Sequence, residues 1–162
     1  YFINGYTSKV AGTEVGITEP IATFSSCFGE AFLPLHPLVY ANLLKEKLEK
    51  HNTNCWLVNT GWVNGGYGTG GYRCDLSFTR KIIDSIHNGE LEKAEYDTLP
   101  IFNLKFPKFC CDIPTILLNP MISYGDENTY MNKLKELGHK FINNFKRFNI
   151  VDENILNCNP KV

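Results

Sequence analysis

The sequence predicts an α/β fold, because segments with helical periodicity alternate with short apolar or alternating runs typical of strands. Three segments carry apolar residues at offsets of three and four. With 162 residues, 43% of them hydrophobic, the chain suits one compact domain with its own core. An aromatic content of 13% is too high for a disordered chain.

The first third of the chain predicts a strand, a loop and a helix. Residues 1–10 have strand-like composition interrupted by Gly5, and residues 12–20 form an irregular loop. Residues 23–35 are apolar but aperiodic and carry no assignment. A helix is expected from His36-Pro37 to about residue 52, since proline suits the first helical position. Its apolar stripe consists of Ala41, Leu44 and Leu48.

The elements in the middle of the chain are predicted from short apolar runs and from glycines that end them. Residues 55–58 predict a buried strand, and residues 61–71 contain six glycines. A second helix is expected over 78–87, with Asn88-Gly89 as its stop. Alternation over 102–106 predicts a half-exposed strand, and the following stretch to Gly125 is expected to be mostly loop.

The last helix has the most regular pattern. Over residues 127–148, apolar side chains step by four, three, four and four positions, at Tyr130, Leu134, Leu137, Phe141 and Phe145. This regularity indicates packing rather than chemistry. The chain opens on Tyr1-Phe2-Ile3-Asn4, which has the composition of a strand interior. We therefore expect the sequence to be a piece of a longer protein.

Charge, apolar runs and cysteine content argue against several classes of protein. Sixteen basic and 17 acidic residues leave a net charge of -1, unlike the basic excess of nucleic-acid binders. No apolar run approaches the ~20 residues of a membrane span. The six cysteines form no CxxC pair, which favours free thiols in a reducing compartment. Cys110-Cys111 could form a vicinal disulfide or bind a soft metal, although two reduced thiols are favoured.

The glycine-rich tract formally matches two nucleotide motifs. Residues 66–71 read GxGxxG, but a dinucleotide fingerprint needs a tight strand-to-helix turn, and these glycines lie in a long excursion. A P-loop is excluded because Gly71-Tyr72 stands where Lys-Ser/Thr is required. Composition alone favours a flexible surface loop. An unrelated dinucleotide-binding oxidoreductase remains an alternative that rests on GxGxxG only.

The residues after the glycines are the main binding candidates. An arginine such as Arg73 can lie on an aromatic base or hold a phosphate. Thr79 is expected in the first turn of the second helix, where exposed amides favour anions. A solvated arginine and a capping threonine explain the same residues. His36 is expected to be a capping or surface residue rather than a catalyst, and Asp84 with His87 to be an ordinary helical pair.

Ordered motifs along nearly the whole chain resemble the ATP-dependent phosphoenolpyruvate carboxykinases. They are the stretches at 5–14, 16–20, 23–29, 36–37, 58–62, 73–74, 79–80, 99–104 and 118–120, together with Tyr40 and the glycine-rich loop. The resemblance implies a C-terminal segment, residues 1–162, of a carboxykinase nucleotide-binding domain with a mixed sheet and flanking helices. The N-terminal domain and the P-loop would be absent from this segment.

The resemblance also implies an activity. Family members convert oxaloacetate and ATP to phosphoenolpyruvate, carbon dioxide and ADP with Mg²⁺ and Mn²⁺, a gluconeogenic and usually cytosolic step. Arg73, Cys74 and Thr79 match the adenine side of the ATP pocket, Cys74 through its backbone. Tyr72 departs from the basic residue common at that position. The long glycine loop hints at a homo-oligomer.

No catalytic residue and no metal ligand of the family has an equivalent in this sequence. Phosphoryl transfer depends on metal ions and phosphate-cradling groups, so the segment alone is expected to be inactive. The alternative is a free-standing nucleotide- or protein-binding module without catalysis.

Overall fold

A computed structural model describes residues 1–9, 12, 14–59, 61–150 and 152–162. The chain divides into two compact units. The first unit comprises residues 1–57 and 139–160, and the second comprises residues 58–138 and 161–162. Within the described ranges, none of the helices combines the length and the apolar character that a bilayer crossing demands.

The described elements mix helices with small antiparallel sheets. The strands are β1 (Tyr6–Lys9), β2 (Ile21–Phe24), β3 (Trp62–Val63), β4 (Tyr72–Arg73), β5 (Tyr96–Thr98) and β6 (Lys105–Pro107). The helices are α1 (Pro37–His51), α2 (Leu76–His87), α3 (Thr115–Leu118), α4 (Pro120–Tyr124), α5 (Glu127–Phe145) and α6 (Glu153–Leu156). Short 3-10 turns cover Ser26–Phe28, Glu30–Phe32, Leu91–Lys93 and Lys146–Phe148. The alternation of helices and strands agrees with the α/β class at this coarse level.

The described strands form three two-stranded antiparallel sheets. In the first, Tyr6 lies opposite Phe24 and Lys9 opposite Ile21. The second pairs β3 with β4, and the third pairs β5 with β6. No described strand joins two of these pairs into a larger sheet.

Helix α1 begins and ends as its sequence indicates. His36 caps it, because its Nδ1 accepts a hydrogen bond from the backbone N–H of Leu38 at 3.2 Å. The other ring nitrogen, Nε2, therefore carries the proton and donates to the Phe148 carbonyl at 3.0 Å. Asn52 ends the helix in the left-handed region, with φ of 48°. The expectation that His36 is a capping or surface residue is confirmed, and it is the cap.

The core of the first unit gathers on the C-terminal half of α5. Ile3, Phe145, Phe148 and Ile150 form a buried cluster against Leu38, Ala41 and Ile155. Beside it, the Phe141 ring lies 5.4 to 5.7 Å from the rings of Tyr1, Tyr6 and Phe24. Of the apolar steps predicted for this helix, Tyr130, Leu134, Phe141 and Phe145 are buried and Leu137 is half-buried. The helix ends at Phe145, and its expected last residues continue as a 3-10 turn.

In the second unit, the Glu90 side chain joins segments around α2. Its Oε2 accepts from the Ser85 hydroxyl at 3.1 Å, and its Oε1 accepts from the Cys111 backbone N–H at 3.0 Å. Leu91 and Cys110, which flank these contacts, are almost fully buried. These bonds fix the end of α2 to the loop that follows β6.

Several predicted boundaries were wrong. Among the described residues of the expected first strand, only Tyr6–Lys9 pair, because Gly5 turns the chain with φ of 59°. A Cβ at Gly5 would lie 1.7 Å from the Ser25 carbonyl oxygen. Val10, the end of that prediction, lies outside the described residues. Residues 55–58 form no strand, and Leu57 is exposed. No strand in the described part of the chain pairs with these residues, although they are apolar.

Further differences lie in the second half. The strand predicted over 102–106 begins only at Lys105, because Ile101 and Asn103 have positive φ and turn the chain. Its partner β5 was not predicted. The expected loop after it contains the short helices α3 and α4, and α4 begins with Asn119 as its cap.

Candidate functional site

The glycine-rich tract is the loop of a β-hairpin. Trp62 lies opposite Arg73 and Val63 opposite Tyr72, so residues 64–71 connect β3 directly to β4. A dinucleotide fingerprint requires its glycines between a strand and the helix that receives the pyrophosphate. Here a second strand follows the glycines, and the prediction that GxGxxG does not form that turn is confirmed.

The loop is held by backbone contacts that need glycine. Gly65 has φ of 127°, and a Cβ on Gly71 would meet the Gly65 carbonyl oxygen at 2.2 Å. The Thr69 hydroxyl accepts from the Gly66 N–H at 3.0 Å and lies 3.1 Å from the Gly66 carbonyl, to which it donates. Gly65 and Gly71 therefore let the two ends of the loop approach each other closely.

Arg73 ends β4 and is exposed. Within the described part of the chain, its guanidinium has no hydrogen bond or ion pair with another side chain. On the partner strand, Trp62 packs edge-on against Tyr67, with ring centroids 5.5 Å apart. The arginine is thus presented on a short, braced hairpin with its charged group available to a ligand.

Cys74 and Thr79 lie together immediately after this hairpin. The Thr79 hydroxyl is 3.9 Å from the Cys74 Sγ and 3.4 Å from the Asp75 carbonyl oxygen, and donates to both. Both residues are half-buried. The Cys74 N–H donates to the Gly61 carbonyl at 2.9 Å, which extends the hairpin by one bond. The structure therefore brings Cys74 and Thr79 into contact, with Arg73 next in sequence.

Asp75 organises the start of α2, a role that the sequence reasoning missed. Its Oδ1 accepts from the Ser77 N–H at 2.7 Å, which caps the helix. Hydrogen bonds from the side chain and the backbone of Ser77 hold the pKa of the Asp75 carboxyl below its ordinary value. The helix begins at Leu76, two residues earlier than predicted, and the Asp-x-Ser pattern was the available signal. Because a carboxylate already occupies this terminus, the expected attraction for an anion is weakened.

The remaining candidates behave as ordinary polar residues. Asp84 and His87 are exposed on α2. Among the described residues, no group of three or more His, Cys, Asp or Glu side chains could hold a metal ion. The six cysteines are unbridged, so Cys110-Cys111 is not a vicinal disulfide. Cys110 is buried and Cys111 exposed, as two reduced thiols in a loop would be.

A separate cleft lies in the first unit. Its volume is about 300 Å³, and its polar side is formed by Ser26, Glu30 and Arg147. An Arg147 nitrogen donates to Glu30 Oε2 at 2.7 Å and to the Ser26 hydroxyl at 3.0 Å. Its guanidinium carbon also lies 4.6 Å from the centre of the Phe148 ring. The arginine is satisfied in place, so the cleft has no uncompensated charge for an anion.

Comparison with known proteins identifies similar sequences. The family model described as phosphoenolpyruvate carboxykinase matches residues 1–116. A Neurospora crassa protein named phosphoenolpyruvate carboxykinase (ATP) is 50% identical over 164 residues, covering 100% of this chain and 27% of that protein. A Kluyveromyces lactis protein of the same name is 51% identical over 165 residues, covering 100% and 30%.

The similarity extends to bacteria. A Caldanaerobacter subterraneus subsp. tengcongensis protein, also named phosphoenolpyruvate carboxykinase (ATP), is 51% identical over 161 residues, covering 99% of this chain and 31% of that protein. The chain spans less than a third of the length of these curated relatives.

Proposed function

Because this chain belongs to the phosphoenolpyruvate carboxykinase family, we propose that it is the C-terminal part of an ATP-dependent phosphoenolpyruvate carboxykinase. The full-length protein converts oxaloacetate and ATP to phosphoenolpyruvate, carbon dioxide and ADP, a gluconeogenic step in the cytosol, and assembles as a homo-oligomer. The segment belongs to the nucleotide-binding domain, where a mixed sheet is completed by strands outside this chain. Identity near 50% over essentially every residue of the segment is the observation that carries the proposal.

The segment supplies the adenine side of the ATP pocket through Arg73, Cys74 and Thr79. Three features support this assignment: the exposed guanidinium of Arg73, the contact between Thr79 and Cys74, and the short distance along the chain that joins them. A guanidinium lying on the purine face contributes about 0.5–2 kcal/mol through a cation–π contact. The triphosphate of ATP contacts groups outside this segment.

One of the two backbone polar groups of Cys74 is already hydrogen-bonded within the protein. Its N–H already donates to the Gly61 carbonyl, so its carbonyl oxygen is the backbone group that remains for a ligand. A carbonyl accepts from the exocyclic amine of adenine, whereas guanine presents an oxygen at the same ring position. The Thr79 hydroxyl, which can also accept, is the second polar group beside it.

The described residues do not fit the Mg²⁺ and Mn²⁺ ions that the family implies, because they hold no cluster of three metal-binding side chains. Both ions bind through several carboxylate, carbonyl or imidazole ligands. We therefore assign their ligands to residues outside this chain. Phosphoryl transfer needs that charge stabilisation, so the isolated segment is expected to have no carboxykinase activity. Turnover of oxaloacetate with ATP by the purified segment would contradict this.

The adenine assignment is tested in the full-length enzyme with Arg73→Ala. We expect the KM for ATP to rise about tenfold, corresponding to ~1.4 kcal/mol of lost binding, while kcat falls much less. The measurement is phosphoenolpyruvate formation at saturating oxaloacetate over a range of ATP concentrations.

Arg80→Ala is the matched control, since Arg80 is an exposed arginine seven positions further on. It removes the same charge and should leave the KM for ATP near its original value. Equal KM values for the two variants would overturn the assignment of Arg73. Absence of ATP-dependent turnover in the unmodified full-length protein would overturn the function itself.

A further inference from the structure

The dipeptide Asn-Gly occurs three times in this chain, at Asn4-Gly5, Asn64-Gly65 and Asn88-Gly89. The asparagine amide is one of the heat-labile side-chain groups of proteins. It is attacked most easily when glycine follows, because glycine has no side chain to block the approach of its own backbone nitrogen. The sequence therefore offers three chemically similar positions, and the structure distinguishes them.

The reaction is an intramolecular displacement followed by hydrolysis. The glycine backbone nitrogen attacks the asparagine Cγ, and the bond from Cγ to the side-chain nitrogen breaks. The proton of the glycine N–H leaves with that nitrogen, so ammonia is released and a cyclic succinimide remains. Water then opens the ring at one of its two carbonyl carbons and gives aspartate or isoaspartate. The attack requires a glycine N–H and an asparagine side chain that are free to approach each other.

Burial and hydrogen bonds hold the first of these positions. Asn4 is 3% exposed, and its Oδ1 accepts from the Asn144 side chain at 2.7 Å. The Gly5 N–H donates to the Tyr1 carbonyl at 2.9 Å. Both reacting groups of this dipeptide are therefore engaged, and the site is closed to water.

The dipeptide at the end of α2 is exposed but also held. The Asn88 Oδ1 accepts from the Glu90 backbone N–H at 2.9 Å. The Gly89 N–H donates to the Ile86 carbonyl at 3.2 Å. Two hydrogen bonds must therefore break before the Gly89 nitrogen can attack.

Asn64 is held by neither kind of contact. It is exposed, at the start of the loop that joins β3 to β4. Within the described part of the chain, neither its side-chain amide nor the Gly65 N–H has a hydrogen-bond partner. No such bond has to break before the Gly65 nitrogen approaches the Asn64 Cγ.

We propose that Asn64 is a site of spontaneous deamidation and that its products weaken ATP binding. The second part rests on the proposed function, which places Arg73 against adenine. Asn64 lies two positions after Trp62, the residue opposite Arg73. Positions related in this way are about 7–8 Å apart in a regular antiparallel pair, within reach of a long side chain.

Deamidation at this position changes the hairpin in two ways. A carboxylate adds a negative charge, which attracts the Arg73 guanidinium away from the purine. Isoaspartate also lengthens the backbone by one atom, in a loop so tight that a Cβ on Gly71 would lie 2.2 Å from the Gly65 carbonyl oxygen. Both changes oppose the placement of Arg73 on adenine.

The first test compares the three asparagines within one sample of the full-length protein. The protein is incubated in mildly alkaline buffer, natively folded or in denaturant, and deamidation of each peptide is followed by mass spectrometry. Protection is the rate in denaturant divided by the native rate, which removes the effect of neighbouring residues. We expect protection at Asn88 to exceed that at Asn64 at least about threefold, because its hydrogen bonds must open first, and protection at Asn4 to be larger still. Protection at Asn64 equal to or above that at Asn88 would overturn the proposal.

The second test measures the KM for ATP of the full-length enzyme carrying Asn64→Asp. We expect a rise of about threefold with little change in kcat, the modest effect of an exposed charge. Asn88→Asp is the matched control, since it adds the same charge at an exposed asparagine outside the hairpin and should leave the KM for ATP near its original value. Equal KM values for the two variants would contradict the effect on ATP binding.

The aged enzyme gives the same comparison without an introduced charge. Its KM for ATP should rise in step with deamidation at position 64, and the rise should be absent in Asn64→Gly, which has no amide to lose. A rise that persists in Asn64→Gly would assign the change to another residue and would overturn the proposal.

The chemical measurement is independent of the proposed function. A protein that lacks ATP-dependent turnover but deamidates selectively at Asn64 contradicts the proposed function and not the modification site. An active enzyme in which Asn64 is as protected as Asn88 contradicts only the modification site.

Discussion

The surroundings of Phe141 and the start of α2 are stabilised in different ways. Phe141 is 4% exposed, and the rings of Tyr1, Tyr6 and Phe24 pack against it. At the start of α2, Cys74 and Thr79 are half-buried and are held by hydrogen bonds to backbone and side-chain atoms. Burial of apolar surface supplies the first region with its free energy, whereas local hydrogen bonds shape the second.

The surroundings of Phe141 should therefore determine folding stability, whereas the start of α2 should determine ligand binding. A ring in a packed cluster has no surface left for a ligand, so its replacement should act on folding alone. An exposed guanidinium and a half-buried hydroxyl contribute little to folding and retain polar atoms for recognition. Variants in the two regions should therefore change different measurements.

The largest effect is expected from Phe141→Ala. Removing a buried ring leaves a cavity against Tyr1, Tyr6 and Phe24, which should cost about 3–5 kcal/mol of unfolding free energy. The measurement is denaturant unfolding of the full-length protein, followed by the KM for ATP under native conditions. Phe109→Ala is the control, since Phe109 is 65% exposed and should change stability little. A large rise in KM with unchanged stability would erase the distinction between the regions.

An intermediate effect is expected from Gly71→Ala. The new Cβ would lie 2.2 Å from the Gly65 carbonyl oxygen, so the hairpin backbone must shift. Such local strain costs on the order of 1–3 kcal/mol and should displace Arg73, raising the KM for ATP. At Gly66 a Cβ would meet only the Thr69 hydroxyl at 3.7 Å, so Gly66→Ala is the matched control. Equal KM values for both variants would show that loop shape does not position the arginine.

The smallest effect is expected from Glu30→Gln. A side-chain hydrogen bond from Arg147, followed by the backbone N–H of Ser26, lowers the pKa of Glu30 from its ordinary 4.5. A lowered pKa means that the contribution to stability is complete above pH 4.5 and is lost as pH falls through the folded-state value. Because both side chains are nearly half exposed, we expect less than about 1 kcal/mol at neutral pH.

The measurement is the difference in unfolding free energy between this variant and the unmodified protein at several pH values. The difference should shrink as the pH falls below 4.5. Glu46→Gln, at the exposed pair with Lys47, is the control and should show a smaller difference at neutral pH. A difference for Glu30→Gln that grows on acidification would contradict the assigned ion pair.

Sequence periodicity predicted the long helices because it reports local geometry. The steps from Tyr130 to Phe145 match the turns of α5, and Pro37 marks the start of α1. Short strands were predicted less well. Residues 55–58 have the composition of a buried strand but no strand partner among the described residues, and β5 was missed because only pairing with β6 defines it.

The candidate site divides in the same way. Arg73, Cys74 and Thr79 were chosen from motifs, and their roles remain predictions. The capping role of Asp75 was not predicted, because it depends on where α2 begins. The contact between Cys74 and Thr79 also depends on that boundary, since helix geometry turns the Thr79 hydroxyl back toward the preceding residues.

By itself, the sequence determined the family and the long helices, because ordered motifs and helical periodicity are written in residues close along the chain. Tertiary structure decided which short runs pair as strands and which apolar faces remain uncovered. It also decided contacts such as Asn144 to Asn4 at 2.7 Å and Arg147 to Glu30 at 2.7 Å. These groups lie more than 100 positions apart, so only folding brings them within hydrogen-bonding distance, and no local pattern records their partners.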